Sequence, residues 1–224
     1  MFILSEKWKE VHPEARVATL IIRNVQNRET DPKLETRKRA LEKELCLNLG
    51  DKEENTLKNI PPIQAYTTYY KRFKKTYPLL QQLKTVVIRQ QPFPTVSGLV
   101  DAMFLAEMKN LLLTAGHDLE KVTAPVYISA AAGDEHYVKL NGESQTTKPK
   151  DMIMSDGEGV ISSVLYGPDE RTRMTLQTRE VLFVVYAPAG IDAESTHRHL
   201  EDIRENVLLF SPQAEAEPII IHSC

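Results

Sequence analysis

The hydrophobic pattern divides the chain into a helix-rich first part and a strand-rich second part. Apolar positions at helical spacing dominate up to about residue 113. After Pro125, short apolar or alternating runs follow, and these predict strands. Helices mostly first and strands mostly later favour an α+β domain over a doubly wound α/β fold. Because no long flexible linker interrupts the pattern, residues 1–224 are expected to form a single domain.

The helical part contains three well-marked segments. Asp31-Pro32 predicts a helix start, with an apolar face after it. Residues 63–77 carry an aromatic stripe at helical spacing, made of Tyr66, Tyr70, Phe73 and Tyr77. Residues 98–113 are apolar nearly all round, which indicates a buried helix with Gly116 as its stop. Its predicted cap is Thr95 or Ser97, and further helices are predicted at 79–91 and 193–210.

The pattern predicts seven strands, six after Pro125 and one near the start of the chain. They lie at 17–22, 126–130, 136–140, 152–155, 159–166, 180–187 and 218–222. The run V-L-F-V-V-Y-A at 181–187 is apolar on both faces and therefore predicts a central strand. Asn141-Gly142 predicts a tight hairpin turn.

Composition places the chain among ordinary globular proteins, with 42% hydrophobic and 26% charged residues. The run at 181–187 is the longest apolar one, whereas about 20 residues are needed to cross a bilayer. The N-terminus lacks the pattern of a signal peptide, so a cytoplasmic protein without membrane contact is expected. Cys46 and Cys224 lie far apart without zinc spacing, and free thiols are expected.

The charge is distributed unevenly along the chain. The net charge of −3 argues against a general binder of polyanions. Residues 1–90, however, carry 18 Lys and Arg against 11 Asp and Glu, a net charge of +7. Residues 91–224 carry 10 against 20, a net charge of −10. This asymmetry fits either a basic face for an acidic partner or simply solvated helices.

Common catalytic and cofactor motifs are missing from the sequence. There is no glycine-rich phosphate loop, no G-x-S-x-G and no H-E-x-x-H. His197 and His199 are two apart on a predicted helix and therefore point in different directions, and both are expected to be solvated. No metal site and no cofactor are expected.

Cations and aromatic residues alternate in the segment around residue 70. Bases stack on aromatic rings while basic side chains contact phosphates, so this segment suits RNA. The candidate RNA-binding residues are Lys71, Arg72, Lys74 and Lys75. The alternative is an ordinary amphipathic helix with a buried aromatic stripe and solvated lysines.

Two further groups of residues could carry chemistry. His117-Asp118 could position a proton carrier or simply close a helix end, and Asp101 is an unusual carboxylate in an apolar helix. The polar loop 167–175 lies between two strong strands, where functional residues are common. Its acids Asp169 and Glu170 could also simply pair with its arginines at the surface.

Taken in order, these segments resemble the B3/4 domain family over roughly residues 16–187. The resemblance rests on L-V-D-A at 99–102, H-D-L-E at 117–120, G-D-E at 133–135, L-N-G-E at 140–143, D-G-E-G at 156–159 and E-R-T-x-x-T-x-x-T-R at 170–179. It implies a single three-layer α+β domain with a mixed, largely antiparallel sheet and flanking helices. Residues 188–224 would add a C-terminal helix and strand.

In bacterial phenylalanyl-tRNA synthetase, the B3/4 domain is the editing module of the beta subunit. The resemblance therefore implies a freestanding protein that binds tRNA and hydrolyses mischarged aminoacyl-tRNA in trans. Glu170 would orient water or hold the substrate ammonium group, and Thr172 would serve the oxyanion. The implied substrate pocket contains Asp101, His117, Asp118, Arg171 and Thr175.

Two positions depart from the synthetase module. Met103 stands where the module has Thr, and Ala115 stands where it has His. Glu170 matches the module's glutamate if one extra loop residue is allowed. The alternative to a deacylase is therefore a non-catalytic module on the same fold that binds RNA or a free amino acid.

Overall fold

The computed structural model describes residues 2–50 and 57–224, and the account below refers to these residues. The helices are α1 (Glu6–Val11), α2 (Pro32–Leu49), α3 (Pro61–Lys71), α4 (Pro78–Val87), α5 (Gly98–Asn110) and α6 (Ala193–Phe210). The strands are β1 (Phe2–Leu4), β2 (Arg16–Arg23), β3 (Thr114–Asp118), β4 (Val126–Ala130), β5 (His136–Val138), β6 (Ser144–Thr146), β7 (Met152–Asp156), β8 (Gly159–Ser163), β9 (Gly167–Pro168), β10 (Val181–Ala187), β11 (Glu215–Ala216) and β12 (Ile220–His222). Residues 48–59, whose polar sequence predicts a turn-like segment, fall partly outside the described residues.

The strands form two five-stranded sheets and a separate hairpin. The first sheet has the order β1-β4-β7-β8-β9, with β1 parallel to β4 and the other neighbours antiparallel. The second sheet is antiparallel, with β10 between β2 and β3, and with β11 and β12 on the other side of β2. β5 and β6 form the hairpin. The predicted α+β class is confirmed, and the strands are divided between two main sheets.

The second sheet is the middle one of three layers. Successive side chains of β10 point to opposite faces of this sheet. On one face, the hydroxyl of Tyr186 is hydrogen-bonded to that of Ser162 in the first sheet. On the other face, Gly116 of β3 lies beside Phe183 and close to Met103 of α5. Because α6 also packs on β2 and β10, we place α5 and α6 together as the helical layer.

The central strand agrees with its sequence pattern. All seven residues of β10 are buried, as expected for a strand that is apolar on both faces. The start of α2 also agrees, since the Asp31 carboxylate accepts hydrogen bonds from the backbone N–H groups of Lys33 and Leu34. The predicted Asn141-Gly142 turn joins β5 to β6, with a φ of 80° at Gly142.

The end of α5 differs from the prediction. The helix ends at Asn110, where Leu111 adopts a left-handed conformation, and Gly116 lies inside β3. A Cβ atom at this position would lie 2.5 Å from the methyl carbon of Met174, so the Met174 side chain would have to move aside for any larger residue. Ser97 occupies the position before α5, but its side chain makes no capping hydrogen bond. The N–H of Leu99 instead donates to the Asn27 side chain.

Candidate functional site

The loop between β8 and β10 is held on both sides by neighbouring strands. We call residues 167–178 the site loop. The N–H of Asp169 donates to the carbonyl of Ile161, and the N–H of Glu170 donates to the carbonyl of Val138 in the hairpin. The N–H of Asp118 in β3 donates to the carbonyl of Thr172. The loop is thus fixed to the first sheet, the hairpin and β3 at once.

A buried chain of three polar side chains links β3 to the site loop. His117 Nδ1 lies 2.7 Å from Thr172 Oγ1, and the Thr172 hydroxyl donates to the Asp169 carboxylate. His117 and Thr172 have no exposed surface, and Asp169 is 4% exposed. Since a hydroxyl has only one proton, it must accept from His117, which places the imidazole proton on Nδ1. His117 Nε2 is then an unprotonated acceptor, and it has no hydrogen-bond partner among the described residues.

Burial lowers the pKa of His117 to about 4. The imidazole is therefore neutral at physiological pH, which agrees with the proton arrangement above. Burial also raises the pKa of Asp169, although hydrogen bonds from Thr172 oppose this shift. Thr172 is fully occupied by its two partners, so its hydroxyl holds His117 in place and is not free to face a substrate.

Arg171 is bound to the first sheet. Its guanidinium donates two hydrogen bonds of 2.8 Å to the Asp156 carboxylate and a third to the carbonyl of Lys121. Burial alone would raise the pKa of Asp156, but hydrogen bonds from Thr123 and Arg171 bring it below its usual value. Arg171 therefore fastens the site loop to the end of β7.

Asp118 and Thr175 stabilise the far end of the site loop. The Thr178 hydroxyl donates to Asp118 at 2.8 Å and accepts from the N–H of Thr175 at 2.9 Å. The Thr175 hydroxyl accepts from the N–H of Gln177. Asp118 is buried, so this carboxylate shapes the loop from within.

Glu170 is the exposed carboxylate of this group. Its side chain is 44% exposed, and Arg173 is 3.5 Å away. The predicted surface pairing of loop acids with loop arginines is therefore present for this residue. Asp169, in contrast, is buried, and Arg171 is closer to Asp156 than to Asp169. Glu170 can meet a substrate without any rearrangement of the core.

Asp101 belongs to another cluster. Its carboxylate lies 2.5 Å from the Nζ of Lys38, which has no exposed surface, and it accepts from the N–H of Val96. Lys38 also donates to Glu35, Thr95 and the carbonyl of Pro94. The polar contacts of Asp101 thus join α2 to the start of α5, whereas those of His117 lead to the site loop. No sequence pattern distinguishes Lys38 from the other lysines of its amphipathic helix.

A cavity of about 220 Å³ lies beside the site loop, between the hairpin and β8. Asp169 and Arg171 contribute to its wall. The other lining residues are His136, Tyr137, Val138, Glu158, Gly159 and Val160. The cavity therefore reaches the acid end of the Asp169–Thr172–His117 chain, and the sequence did not predict its hairpin wall.

The aromatic stripe is buried. Tyr66, Tyr70 and Tyr77 are at most 2% exposed, and their hydroxyls donate to backbone carbonyls of Tyr186, Val164 and Leu111. The hypothesis that these rings stack on bases is wrong, and the alternative of a core stripe is correct. The physical reason is that each phenol finds an internal acceptor, so the ring can be buried without loss of a hydrogen bond.

The cations beside the stripe face outwards. Lys71, Arg72 and Lys74 are exposed, and Lys75 is half-buried. The Arg72 guanidinium lies 5.2 Å from the centre of the Tyr69 ring and 5.6 Å from that of Phe73. We call residues 71–75 the basic loop.

Among the described residues, no group of three or more His, Cys, Asp and Glu side chains could hold a metal ion. His197 is exposed, whereas His199 is buried and lies 2.7 Å from the Thr114 hydroxyl. The expectation that both are solvated is therefore wrong for His199. In the same part of the chain, no helix is both long and apolar enough to cross a membrane.

Comparison with solved structures supports the fold. An N-terminal fragment of the phenylalanyl-tRNA synthetase beta-subunit from Pyrococcus horikoshii is similar over 100% of this chain, with a TM-score of 0.51 and 15% sequence identity. The similarity covers 54% of that fragment, so this chain spans about half of its length. At this identity, the likeness shows the fold alone.

Comparison with curated proteins finds no match. The sequence profile of the B3/4 domain, in contrast, matches residues 63–208, well over half of the chain. The match includes α3, the basic loop, β3, the hairpin and the whole site loop. The chain therefore belongs to the B3/4 domain family.

Proposed function

We propose that this protein binds tRNA, and that the basic loop is its contact with the RNA backbone. The observation that carries this proposal is that Lys71, Arg72 and Lys74 are exposed, while the tyrosine side chains that precede them in α3 are buried. Basic side chains on a protein surface bind RNA mainly through its phosphates. A tRNA ligand would place the protein in the cytoplasm.

The basic loop is stiff, which favours binding. The N–H of Lys75 donates to the carbonyl of Tyr70, and Lys74 adopts a left-handed backbone conformation with a φ of 56°. The Arg72 guanidinium packs on two aromatic rings. A loop that is already ordered loses less conformational entropy when a ligand binds.

The test is the salt dependence of tRNA affinity. We expect log K to fall with log salt for the wild-type protein, and the double variant Lys71→Gln/Lys74→Gln to reduce that slope by about two. The matched control is Lys33→Gln/Lys43→Gln, which removes two exposed charges from α2. A slope that is the same in all three proteins would remove the basic loop as the contact.

A second function rests on the site loop: hydrolysis of the ester bond in a mischarged aminoacyl-tRNA. The exposed Glu170 carboxylate is available to orient a water molecule or to hold the substrate ammonium group. The water oxygen would form a bond to the ester carbonyl carbon, and the bond to the ribose oxygen would break. His117, Asp118, Arg171, Thr172 and Thr175 would keep the loop rigid under the substrate.

Hydrolysis is tested by release of amino acid from a panel of correctly and wrongly charged tRNAs. We expect release above the spontaneous rate for one or a few species, and its loss in Glu170→Gln. Glu143→Gln is the control, because Glu143 is a 67% exposed carboxylate of the neighbouring hairpin. Equal release by Glu170→Gln and wild type would exclude Glu170 from the reaction.

In the non-catalytic alternative, the protein binds RNA or a free amino acid through the same surface but hydrolyses no ester bond. Met103 and Ala115 favour it, because both stand where the synthetase module has a polar side chain. In that case no charged tRNA is hydrolysed, while tRNA affinity keeps its salt dependence. If the ligand is a free amino acid instead, we expect that amino acid to raise the melting temperature.

A further inference from the structure

We propose that Tyr166 is a stacking platform for a base of single-stranded RNA, with Lys75 beside it for the adjoining phosphate. The proposal rests on the RNA binding proposed above and adds where an unpaired RNA end would lie. The proposed stacking ring is Tyr166, which the sequence pattern did not single out, rather than one of the buried tyrosines of α3.

Tyr166 differs from the α3 tyrosines in its surroundings. It is half-buried and packs against the small apolar cluster of Ala131, Tyr137, Ile153 and Val160. The Nζ atom of Lys75 lies 4.4 Å from the centre of the Tyr166 ring. The ring is therefore supported by the protein and covered by a flexible, charged side chain.

A nucleobase can displace the Lys75 side chain from the face of the Tyr166 ring. A cation–π contact at a partly exposed site stabilises less than a base stacked on the same ring. The released ammonium group would then be free to meet a phosphate, which is the usual partner of lysine in RNA complexes.

The position of Tyr166 connects the two candidate surfaces. Lys75 belongs to the basic loop, and Tyr166 directly precedes Gly167, the first residue of the site loop. Gly167 has a φ of 85°, a conformation that strongly favours glycine, so the chain turns sharply after Tyr166. RNA that crosses from the basic loop towards Glu170 would pass over this ring.

Single-stranded RNA is the ligand class that fits. Bases inside a duplex are stacked on each other and hidden, whereas unpaired bases stack freely on aromatic side chains. Stacking of this kind tolerates any base, because every base has a π face. The amino acid of an aminoacyl-tRNA is carried on such an unpaired end.

The experiment measures binding of a short single-stranded oligoribonucleotide to five proteins: wild type, Tyr166→Phe, Tyr166→Ala, Tyr127→Ala and Lys75→Gln. Tyr127 is the matched control, because it is a 39% exposed tyrosine on β4. We expect Tyr166→Ala to raise Kd about 5- to 150-fold with an unchanged salt slope. Tyr166→Phe and Tyr127→Ala should bind like wild type, and Lys75→Gln should reduce the salt slope by about one.

A second measurement is independent of the stability of the alanine variant. Tyr166→Trp keeps a ring at the site, and stacking of a base should quench its fluorescence at saturating RNA. Trp8 contributes a constant background, because it is completely buried. Bound RNA without quenching, or wild-type affinity in Tyr166→Ala, would overturn the stacking site.

The two proposals fail in different ways. If Lys71→Gln/Lys74→Gln weakens tRNA binding while every Tyr166 variant binds normally, RNA binding stands and the stacking site is wrong. If the wild-type protein binds neither tRNA nor the oligoribonucleotide, both proposals are wrong. Loss of affinity in Tyr166→Ala, together with a reduced salt slope in Lys71→Gln/Lys74→Gln, supports both proposals.

Discussion

His117 Nδ1 lies 2.7 Å from Thr172 Oγ1, and neither side chain has any contact with solvent. The two residues are 55 positions apart in the chain. Since the Thr172 hydroxyl also donates to Asp169, one hydroxyl satisfies a buried imidazole and a buried carboxylate. This side chain is therefore one of the contacts that hold the site loop, beside those of Arg171 and Thr178.

Replacement of Thr172 by valine should therefore be costly. Valine has nearly the same shape but leaves the Nδ1–H of His117 without an acceptor, whereas Asp169 still accepts from the backbone N–H of residue 172. We expect the free energy of unfolding to fall by about 1–3 kcal/mol for the buried imidazole N–H left unsatisfied. Urea denaturation measures this, and Thr172→Ser, which keeps the hydroxyl, should lose much less. Equal losses in both variants would show that packing of the methyl group matters more than the hydroxyl.

The buried ion pair between Lys38 and Asp101 gives a second prediction. We expect Lys38→Met to lower the free energy of unfolding by about 3–5 kcal/mol, because it leaves the Asp101 carboxylate buried without its cation. Asp101→Leu added to Lys38→Met should recover most of that loss. The control Lys33→Met, at an exposed position of the same helix, should change stability by less than about 0.5 kcal/mol. No recovery in the double variant would contradict this account.

The buried carboxyl group of Glu107 predicts a dependence on pH. Burial raises the pKa of Glu107 to about 8, although the N–H of Thr114 donates to it at 2.7 Å. The native state therefore holds a proton that the unfolded chain releases above pH 4.5, and stability is lost as the pH rises towards 8. Glu107→Gln keeps an acceptor for Thr114 but carries no charge.

We expect Glu107→Gln to gain stability over the wild type as the pH rises from 5 to 7.5, by on the order of 3 kcal/mol. Denaturation of both proteins at each pH measures the difference. The comparison cancels the effect of His12, His117 and His199, whose pKa burial lowers to about 4 and which destabilise the fold below pH 6.5. A constant difference between the two proteins would show that Glu107 is ionised in the native state.

The close contact between Gly116 and Met174 gives a fourth prediction. An alanine Cβ at position 116 would lie 2.5 Å from the Met174 methyl carbon and 2.8 Å from its sulfur. We expect Gly116→Ala to lower the free energy of unfolding by no more than about 1 kcal/mol, because the clashing atoms are the end of a flexible, half-buried side chain that can move aside. Gly116→Ala combined with Met174→Ala should cost less than the sum of the two single variants, because the clash is removed. Additive costs in this double-mutant cycle would contradict the contact.

The sequence predicts best those elements whose hydrophobic pattern and capping residues indicate the same bounds. The bounds of α6 match the predicted helix, because Asp192 accepts a hydrogen bond from the N–H of Ser195 at its start. The central position of β10 follows from its apolar faces. In contrast, the sequence T-A-G-H-D of β3 is polar and contains glycine, which predicts the stop of the preceding helix rather than a strand. It becomes a strand through pairing with β10, which local sequence does not show.

The sequence predicts which residues belong to the candidate site but not which side chains they contact. His117, Thr172 and Arg171 were singled out, yet their partners Asp169 and Asp156 are fixed only by the fold. Lys38 gave no signal at all, because its partner Asp101 is 63 residues away. Tyr166 follows no periodic pattern, and its contact with Lys75 joins two distant segments. Side-chain pairs of this kind depend on tertiary packing rather than on spacing in the chain.

The pairing of β2 affects how this protein reaches its native state. All of the strands that pair with β2 come from residue 181 onwards. Such distant pairing closes a very large loop, which costs entropy and slows folding. During synthesis, the apolar segment V-A-T-L-I-I leaves the ribosome early and stays without its partner strands until most of the chain has been made. A ribosome-bound chain that stalls before residue 181 would expose this strand to aggregation and to chaperones.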